Sequence, residues 1–411
     1  MTQLALPYMG TKRDFAPAIA DVICGAKPGV VMDAFSGMCA IGQSVGTRRN
    51  VWSNDVQSFA SEVAAALFTS RHRLHLSDRQ RKYLKTAFDR NVETLTERFA
   101  RRLASERACL ACGRVGRIRR YLEDSKYIAN SHQLEEERSQ LCRRPTQFPY
   151  RLCAITLADG YFGLQQSIEI DSARYAMDAS RSAGEIDDDD YRWLLIALGY
   201  AAMRTATTTG HFAQFLKVSA KNLVAYVKQR RRAVWSTWEE CQSGMRPVGS
   251  APWRSKNRSF NRESISLLGY LVDERVKPAV IYADPPYTDD QYSRYYHVWE
   301  TLVRYDYPAA AGEGRYRPDR FCTPFSRVSE VRWAFTQLFK RSAALGADIV
   351  VSYPEDGLLK RIGCDMVELL KESFCSVSIA AELSHAHSTM GASKGSAKRA
   401  VFERLYLASN P

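Results

Sequence analysis

Two short apolar segments of the sequence each lead into a loop that carries a carboxylate. Val30-Val31-Met32 precedes Asp33-Ala34-Phe35-Ser36-Gly37, and Ala279-Val280-Ile281-Tyr282 precedes Asp284-Pro285-Pro286-Tyr287. Runs of this length and composition are typical of strands buried on both faces of a parallel sheet. The two prolines have a fixed φ and no amide hydrogen, so they end the second strand in a rigid turn. Both loops are therefore expected at the carboxyl edge of a sheet, where open α/β sheets bind ligands.

The segments around these loops alternate between strand and helix patterns, which predicts an α/β fold with a parallel, doubly wound, Rossmann-like sheet. Residues 72–270 are instead long, charged and amphipathic, with few strand candidates. We therefore predict one discontinuous domain, 1–71 and 271–411, interrupted by a mostly helical insert at 72–270. The predicted strands are 30–32, 51–53, 279–282, 349–351, 376–381 and 401–407, and the main predicted helices are 14–26, 59–68, 295–303, 330–344 and 366–372.

Charge narrows the class of partner. The 411 residues include 58 Lys and Arg against 45 Asp and Glu, a formal net charge of +13. Such an excess favours a polyanionic partner, and nucleic acid comes first. The excess is concentrated, because residues 211–260 hold ten Lys or Arg and only Glu239 and Glu240 as acids.

Several other classes are disfavoured. No apolar run approaches the roughly 18 to 20 residues that a membrane span needs. The start of the sequence lacks the basic and apolar regions of a signal peptide. The ten cysteines are scattered along a long chain rather than packed into a short secreted framework. We expect a cytoplasmic protein with free thiols, associated with the nucleoid through DNA.

The loop at Asp284-Pro285-Pro286-Tyr287 suits a planar ring that bears an exocyclic amine. Tyr287 can stack on the ring, while the Asp284 carboxylate and the Pro285 carbonyl can each accept a hydrogen bond from the amine. Pro286 completes the rigid turn. Such contacts draw the nitrogen lone pair out of conjugation and aim it at an electrophile, so catalysis would come from orientation and electrostatics.

Three sequence elements together resemble a known family. Asp33 to Gly37 resembles the D-x-F-x-G cofactor loop of S-adenosylmethionine-dependent amino methyltransferases, and Asp284 to Tyr287 is similar to their D-P-P-Y loop. Pro7-Tyr8-Met9-Gly10-Thr11-Lys12 resembles the amino-terminal K-[WY]-x-G-[GS]-K element of adenine-N6 DNA methyltransferases. The order of the elements is that of the Dam-like, or alpha, class. The resemblance implies transfer of a methyl group from S-adenosylmethionine to N6 of a flipped adenine, at a specific sequence in double-stranded DNA.

The family's cofactor contacts carry over position by position. Lys12 matches the lysine that meets the methionine carboxylate, and Asp55 stands where family members place the acid that holds the ribose hydroxyls. Asp55 could alternatively cap a helix that begins near Val56. Cys39 departs from the family, since it occupies the position of a second loop glycine. The predicted cofactor-binding residues are Tyr8, Gly10, Lys12, Asp33, Phe35, Gly37, Asp55 and Asp284.

The insert is expected to recognise DNA. Residues 204–232 combine hydroxyls, aromatic rings and dense cations, which suits phosphate and base-edge contacts, although a solvated basic helix would show the same pattern. After the catalytic loop, Tyr292 to His297 and Trp299 would either stack near a flipped base or form the core of a helix. Ser352 and Tyr353, at the end of a strand, could line the base pocket. The predicted DNA-binding residues are Arg204, His211, Lys217, Lys221, Arg230, Arg231, Arg232 and Arg294.

Metal binding is not predicted, although one pattern leaves it open. Cys109 and Cys112 have a typical zinc-ligand spacing, and His132, Cys142 and Cys153 follow without a second pair. His385-Ala386-His387-Ser388 lies in a stretch rich in Gly, Ser and Lys, which favours a mobile loop.

Alternatives of substrate and of class remain open from the sequence. Cytosine N4 and adenine in RNA also offer an exocyclic amine. A catalytically silent DNA-binding protein on the same scaffold is a second class, against which Lys12, Asp284 and Tyr287 argue. Methylation of a protein glutamine would usually require Asn at position 284. A cognate nuclease or a defence-system partner would fit the family.

Overall fold

The computed structural model describes residues 12–124, 131–387 and 399–411. These residues form two compact units. The sheet unit contains residues 12–72, 247–293, 321–387 and 399–411. The helical unit contains residues 73–124, 131–246 and 294–320.

Among the described residues, the sheet unit contains one seven-stranded sheet in the order β3-β2-β1-β4-β5-β7-β6. Strands β3, β2, β1, β4 and β5 run parallel, and β7 pairs antiparallel with both β5 and β6. The strands are β1 Val31–Asp33, β2 Val51–Asn54, β3 Arg258–Phe260, β4 Val280–Ala283, β5 Asp348–Pro354, β6 Ser376–His387 and β7 Arg399–Ser409.

Helices cover both faces of this sheet because alternate strand residues point to opposite sides. One face buries Met32, Ile281 and Ile349, and the other buries Val31, Val280 and Val350. Every residue of β1, β2, β4 and β5 is buried, as the continuous apolar runs predict. The helices of this unit, numbered in chain order, are α1 Ala16–Gly25, α2 Ala40–Val45, α3 Ser58–Phe68, α13 Ala251–Arg254, α14 Ser264–Asp273, α16 Val331–Ala344, α17 Leu358–Arg361 and α18 Met366–Lys371.

The helical unit is built around two long, buried helices, α9 and α10. Asp187 begins α10 because its carboxylate accepts hydrogen bonds from the amides of Asp189 and Asp190, so the acidic run complements a helix start. The helices of this unit are α4 Asp78–Arg98, α5 Ala100–Cys112, α6 Val115–Glu123, α7 His132–Cys142, α8 Leu152–Thr156, α9 Leu164–Ser182, α10 Asp188–Thr205, α11 Leu223–Arg230, α12 Val234–Gln242 and α15 Ser293–Arg304.

The predicted α/β class and all six predicted strands are confirmed. The predicted boundaries differ from those of the compact units in two places. Residues 247–270 group with the sheet unit, because β3 pairs with β2, and residues 294–320 group with the helical unit. The three-residue strand β3 alternates too briefly to give a periodic signal.

No helix among the described residues is both long enough and apolar enough to cross a membrane.

Candidate active site

Two carboxylates meet at the carboxyl edge of the sheet. Asp33 is the last residue of β1, and Asp284 directly follows the neighbouring strand β4. The strands are in register, with Asp33 opposite Tyr282, and the amide of Ala34 donates to the carbonyl of Tyr282 at 2.9 Å. From β1 the sheet extends to β2 on one side and to β4 on the other, which makes this edge a topological switch point.

The loop after β1 is held by the strand end beside it. The amide of Ser36 donates to the carbonyl of Asn54 at 2.8 Å, and the amide of Gly37 donates to Asp55 Oδ2 at 2.9 Å. Gly37 has a φ of 46° and Cys39 a φ of 63°, so both adopt left-handed backbone. Cys39 therefore holds the conformation that glycine would adopt most readily, with its side chain fully buried.

Asp55 lies against this loop and not at the start of a helix. Helix α3 begins at Ser58 with Gln57 as its N-cap, so the alternative in which Asp55 is the cap is wrong. One carboxylate oxygen accepts from Gly37 and the other from the amide of Gln57, at 2.9 Å each. Asp55 also lines the cavity described next, and its contact with ribose hydroxyls stays a prediction.

A cavity opens beside these loops. Its lining includes six residues predicted from the sequence, namely Phe35, Asp55, Asp284, Pro285, Pro286 and Tyr287. Ala34 of the Asp33–Gly37 loop also lines it, as do Tyr292 and Ser293 of the aromatic segment that follows the Asp284–Tyr287 loop. The rest of the wall comes from segments without a recognisable motif and was not predicted. These residues are Asn54, Val56, Gln57, Arg262, Glu263, Ser264, Gln291, Phe321 and Thr323.

Lys12 forms ion pairs with two carboxylates. Its Nζ lies 3.2 Å from Asp284 Oδ1 and 2.5 Å from Glu403 Oε1, and the same Glu403 oxygen accepts a hydrogen bond from the Ser352 hydroxyl. Lys12 is 7% exposed and Glu403 is 5% exposed. Glu403 was not predicted from the sequence. It lies on the same face of its strand as the buried Leu405, where the alternation of a strand predicts an apolar residue, so a charged residue there was an available signal.

Burial shifts the protonation of the carboxylates at this edge. Desolvation raises the pKa of Asp284 to about 7, partly opposed by the charge of Lys12. Desolvation, with smaller effects of Asp284 and Asp55, raises the pKa of Asp33 to about 8. Burial alone would lower the pKa of Lys12, but the carboxylates of Asp284 and Glu403 outweigh it and raise that pKa, so the ammonium stays charged.

Tyr287 is half-buried in the cavity wall, with Lys12 Nζ 5.7 Å from its ring centroid. Its carbonyl accepts from the amide of Leu358 at 2.9 Å, which anchors the end of the loop. Tyr353 instead packs in the core, where its ring centroid lies 5.2 Å from that of Phe335. The suggestion that Tyr353 lines the base pocket is therefore wrong. Ser352 serves the site through its hydrogen bond to Glu403.

The predicted DNA-binding residues separate into exposed and buried side chains. Arg204, Lys217, Lys221, Arg231 and Arg232 are exposed. Arg204 pairs with Glu240 at 2.7 Å, and Arg231 and Arg232 donate to backbone carbonyls.

His211 and Arg230 are 7% and 5% exposed, and this burial contradicts their prediction as DNA contacts. Arg230 donates to the carbonyl of Gly160 at 2.6 Å, and the His211 ring packs against Tyr295 at 4.9 Å. Both side chains therefore stabilise the interior of the helical unit.

The aromatic residues after the Asp284–Tyr287 loop belong largely to a helix core. Tyr296 and Trp299 are buried and stack on each other at 5.5 Å, and the Trp299 indole donates to the carbonyl of Gly199. The core alternative is thus confirmed for these two rings. Arg294 is half-buried, and its guanidinium donates to the Tyr295 hydroxyl at 2.7 Å.

Three further sequence patterns are the Cys109–Cys112 pair, the segment around His385 and the amino-terminal element that contains Tyr8 and Gly10. Among the described residues, Cys109 and Cys112 belong to no group of three or more potential metal ligands. Residues 385–387 end strand β6 and Ser388 lies outside the described residues, so residues 385–387 do not form the predicted mobile loop. Tyr8 and Gly10 also lie outside the described residues, and their predicted roles are not addressed by the structure.

One family of known proteins matches the segment that carries the Asp284–Tyr287 loop. Residues 267–352, which include the Asp284–Tyr287 loop, match the family model of the D12 class N6 adenine-specific DNA methyltransferases. No solved structure gives a significant match.

Curated relatives include the Type II methyltransferase M.FokI of Planomicrobium okeanokoites, 26% identical over 48% of this chain. The modification methylase LlaI of Lactococcus lactis subsp. lactis is 22% identical over 86% of it. The Type II methyltransferase M.NlaIII of Neisseria lactamica is 24% identical over 58%.

The chain spans 27% of the length of M.FokI, 46% of LlaI and 66% of M.NlaIII. Residues 267–352, which carry the Asp284–Tyr287 loop, are thus similar to the D12 class N6 adenine-specific DNA methyltransferases.

Proposed function

We propose that this protein transfers a methyl group from S-adenosylmethionine to N6 of a flipped adenine, at a specific sequence in double-stranded DNA. The observation that carries the proposal is the Asp284–Tyr287 loop, which forms one wall of a cavity at the switch point of the sheet. An acceptor carboxylate, a rigid turn and an aromatic ring thereby converge where an α/β sheet binds its ligands.

The cavity suits a nucleoside-containing methyl donor. It offers an aromatic ring at Phe35 and a carboxylate at Asp55. Phe35 and Asp55 would hold the nucleoside, and the tight turn at Asp33–Gly37 would let the backbone approach it closely. When bound, S-adenosylmethionine supplies an electrophilic methyl group on a sulfonium sulfur.

The protein's own contribution is orientation of the target amine. Tyr287 stacks on the adenine, and the Asp284 carboxylate accepts a hydrogen bond from the N6 amine. Ionised Asp284 suits this role, because a carboxylate accepts strongly through both oxygens, whereas a protonated carboxyl group is a weaker acceptor and donates from one of them. Lys12 stabilises that ionised form. A duplex adenine is inaccessible within the base stack, so the base must flip out before it reaches this loop.

Arginines of the helical unit suit the phosphate backbone of DNA. Between residues 98 and 120 the sequence holds eight arginines, and the one acid there, Glu106, is only 4% exposed. The exposed members, on α5, α6 and the turn between them, are Arg101, Arg107, Arg114, Arg117, Arg119 and Arg120. Exposed acids follow at Glu123 and Asp124, but the arginines outnumber them, and a polyanion would neutralise this excess of positive charge. These arginines join Arg204, Lys217, Lys221, Arg231, Arg232 and Arg294 as proposed DNA contacts.

Analysis of labelled nucleosides tests this function. Duplex DNA, and in parallel RNA, is incubated with the purified protein and methyl-labelled S-adenosylmethionine, then digested to nucleosides. We expect label in N6-methyladenine from DNA. Label only in N4-methylcytosine, or only in RNA, would replace the adenine-in-DNA proposal with one of its alternatives. Absence of label in all three would favour the silent DNA-binding protein.

The relatives' names, Type II methyltransferase and modification methylase, favour a role beside a nuclease that cuts the same sequence. A cognate nuclease is therefore the proposed partner. Digestion of DNA methylated by this protein with nucleases of matching specificity would reveal the protection that this proposal requires.

A further inference from the structure

One buried carboxylate at this edge of the sheet, that of Glu403, takes no direct part in the proposed methyl transfer. Glu403 lies near the start of β7 and pairs across the sheet with Pro354 at the end of β5. Because β7 runs antiparallel to β5, its early residues lie at the same sheet edge as the carboxyl ends of the parallel strands. Topology therefore brings a residue from the last strand to the Asp284 loop, 119 positions earlier in the sequence.

The contacts of Glu403 give it a defined place in the site. Its Oε1 is 2.5 Å from Lys12 Nζ, which is nearer than the 3.2 Å between Lys12 Nζ and Asp284 Oδ1. The Ser352 hydroxyl donates to that same oxygen and fixes the carboxylate from the adjacent strand. A single lysine is thus shared between two carboxylates.

We propose that Glu403 is a positioning residue, which holds the Lys12 ammonium beside Asp284 and limits how strongly that ammonium stabilises the ionised Asp284. The inference rests on the proposed methyl transfer. Buried lysines tend to lose their charge, and a paired carboxylate prevents this. The same negative charge opposes ionisation of Asp284, so Glu403 keeps the acceptor's protonation balanced near neutral pH.

The other titratable groups that face this cluster come from three elements. Asp33 ends β1, Tyr282 lies on β4, and Tyr287 belongs to the catalytic loop. All three remain in place when only Glu403 is changed. A change in the pH profile of a Glu403 variant would therefore report the Glu403 charge.

The experiment measures kcat/KM for DNA methylation between pH 5 and 9, which reports the ionisations of the free enzyme. In Glu403→Gln the acid limb of the kcat/KM profile, where activity falls as Asp284 is protonated, should move about one pH unit lower. The reason is that a like charge near Asp284 is removed. Glu403→Asp keeps the charge on a shorter side chain, so its limb should lie between those of the wild type and Glu403→Gln. Lys12→Gln should move any remaining limb in the opposite direction, because Asp284 loses its cation.

Glu382→Gln is the matched control. Glu382 lies on the neighbouring strand β6, pairs with Arg404 at 2.8 Å and has a side chain that is 62% exposed. It should keep the wild-type profile. A Glu403→Gln limb that coincides with the wild-type limb would overturn the positioning role, even if that variant were less stable. If Glu403→Gln does not fold, a Glu403→Asp limb at the wild-type position decides against the proposal and a lower limb supports it.

Failure of the proposed function is a separate outcome. It would appear as a wild-type protein that methylates no adenine in DNA. Failure of this inference would leave wild-type methylation intact and the acid limb insensitive to position 403.

Discussion

Buried carboxylates occur in both units, but their partners differ. In the helical unit, Asp171 accepts hydrogen bonds from the amides of Cys153 and Ala154 and from the Tyr305 hydroxyl. Glu106 likewise accepts from the amides of Leu164 and Gln165 at the start of α9. In the sheet unit, Asp284 is held by the ammonium of Lys12 and forms part of a cavity wall.

The partners of a buried carboxylate indicate whether it stabilises the fold or is available to a ligand. The oxygens of Asp171 and Glu106 bind backbone amides and thereby fix the starts of α8 and α9. Asp284 is stabilised by a side-chain cation and faces open space, so it can accept a further hydrogen bond. The raised pKa is not the distinguishing feature, because burial raises it to about 6 for Asp171 and to about 7 for Asp284.

The largest expected effect is on catalysis. Asp284→Ala removes the proposed acceptor of the amine hydrogen bond, and we expect methylation to fall by about 10³-fold, the scale of one lost electrostatic contact. Lys12 keeps its pair with Glu403, so the variant should fold and DNA binding should change little. Label incorporation, together with a DNA-binding titration, measures both. Unchanged turnover would overturn the assignment of Asp284.

Asp171→Ala should have the opposite outcome. It leaves two buried amides and a buried hydroxyl without their acceptor, which should lower the free energy of unfolding by about 3 kcal/mol. Urea unfolding measures this loss, and turnover per folded molecule should stay at the wild-type level. The matched control is Asp188→Ala in the same unit, whose side chain is 68% exposed and which should cost about 0.5 kcal/mol. Equal losses in the two variants would contradict the structural role.

A third prediction concerns stability and pH at the active edge. The pKa of Asp33 is raised to about 8 in the folded protein, above an unfolded value near 4. The folded state therefore binds a proton more tightly, and its contribution to stability is present below pH 4 and is lost as pH rises through 8. Asp33→Asn should remove this loss.

Urea unfolding at pH 5 and pH 8 tests the Asp33 prediction. Between these values the wild type should lose stability relative to Asp33→Asn, by at most about 1.4 kcal/mol per pH unit. Asp21→Asn, at a 72% exposed site on α1, is the control and should track the wild type. If the free energy of unfolding changes equally between pH 5 and pH 8 in Asp33→Asn and in the wild type, Asp33 is ionised at both pH values.

The smallest effect concerns the arginines of the helical unit. Replacing Arg117 and Arg120 by alanine should raise the KM for DNA several-fold and leave kcat unchanged. The slope of log affinity against log salt concentration should become shallower, by the amount that corresponds to about two phosphate contacts. Arg332→Ala, on α16 of the sheet unit, serves as the control because Arg332 is also an exposed arginine. Salt titrations of DNA affinity measure the slope. A slope equal to that of the wild type would exclude α6 from the DNA contacts.

Much of the sheet unit follows from its sequence. Apolar runs such as Val280–Ala283 predict buried parallel strands, and the proline pair marks where β4 ends. The order of strands along the chain also places Asp33 and Asp284 at one edge. These features are local, and local periodicity predicts them.

The remaining parts of the site depend on pairing between distant segments. Glu403 reaches Lys12 only because β7 is inserted beside β5, and Arg262 lines the cavity only because β3 pairs with β2. In the helical unit, Arg230 resembles its exposed neighbours Arg231 and Arg232 in sequence, yet it turns inward to Gly160. Charge density alone does not distinguish a solvated arginine from one that satisfies a buried carbonyl.

The Asp284–Tyr287 loop is proposed to orient adenine in DNA for methylation. Sequencing of modified bases in DNA exposed to the wild type and to Asp284→Ala tests it most directly, because it reports the target base and its sequence context together. We predict N6-methyladenine at one recurrent sequence with the wild type and none with the variant. Modified cytosine in place of adenine, or equal adenine methylation by the variant, would contradict the account.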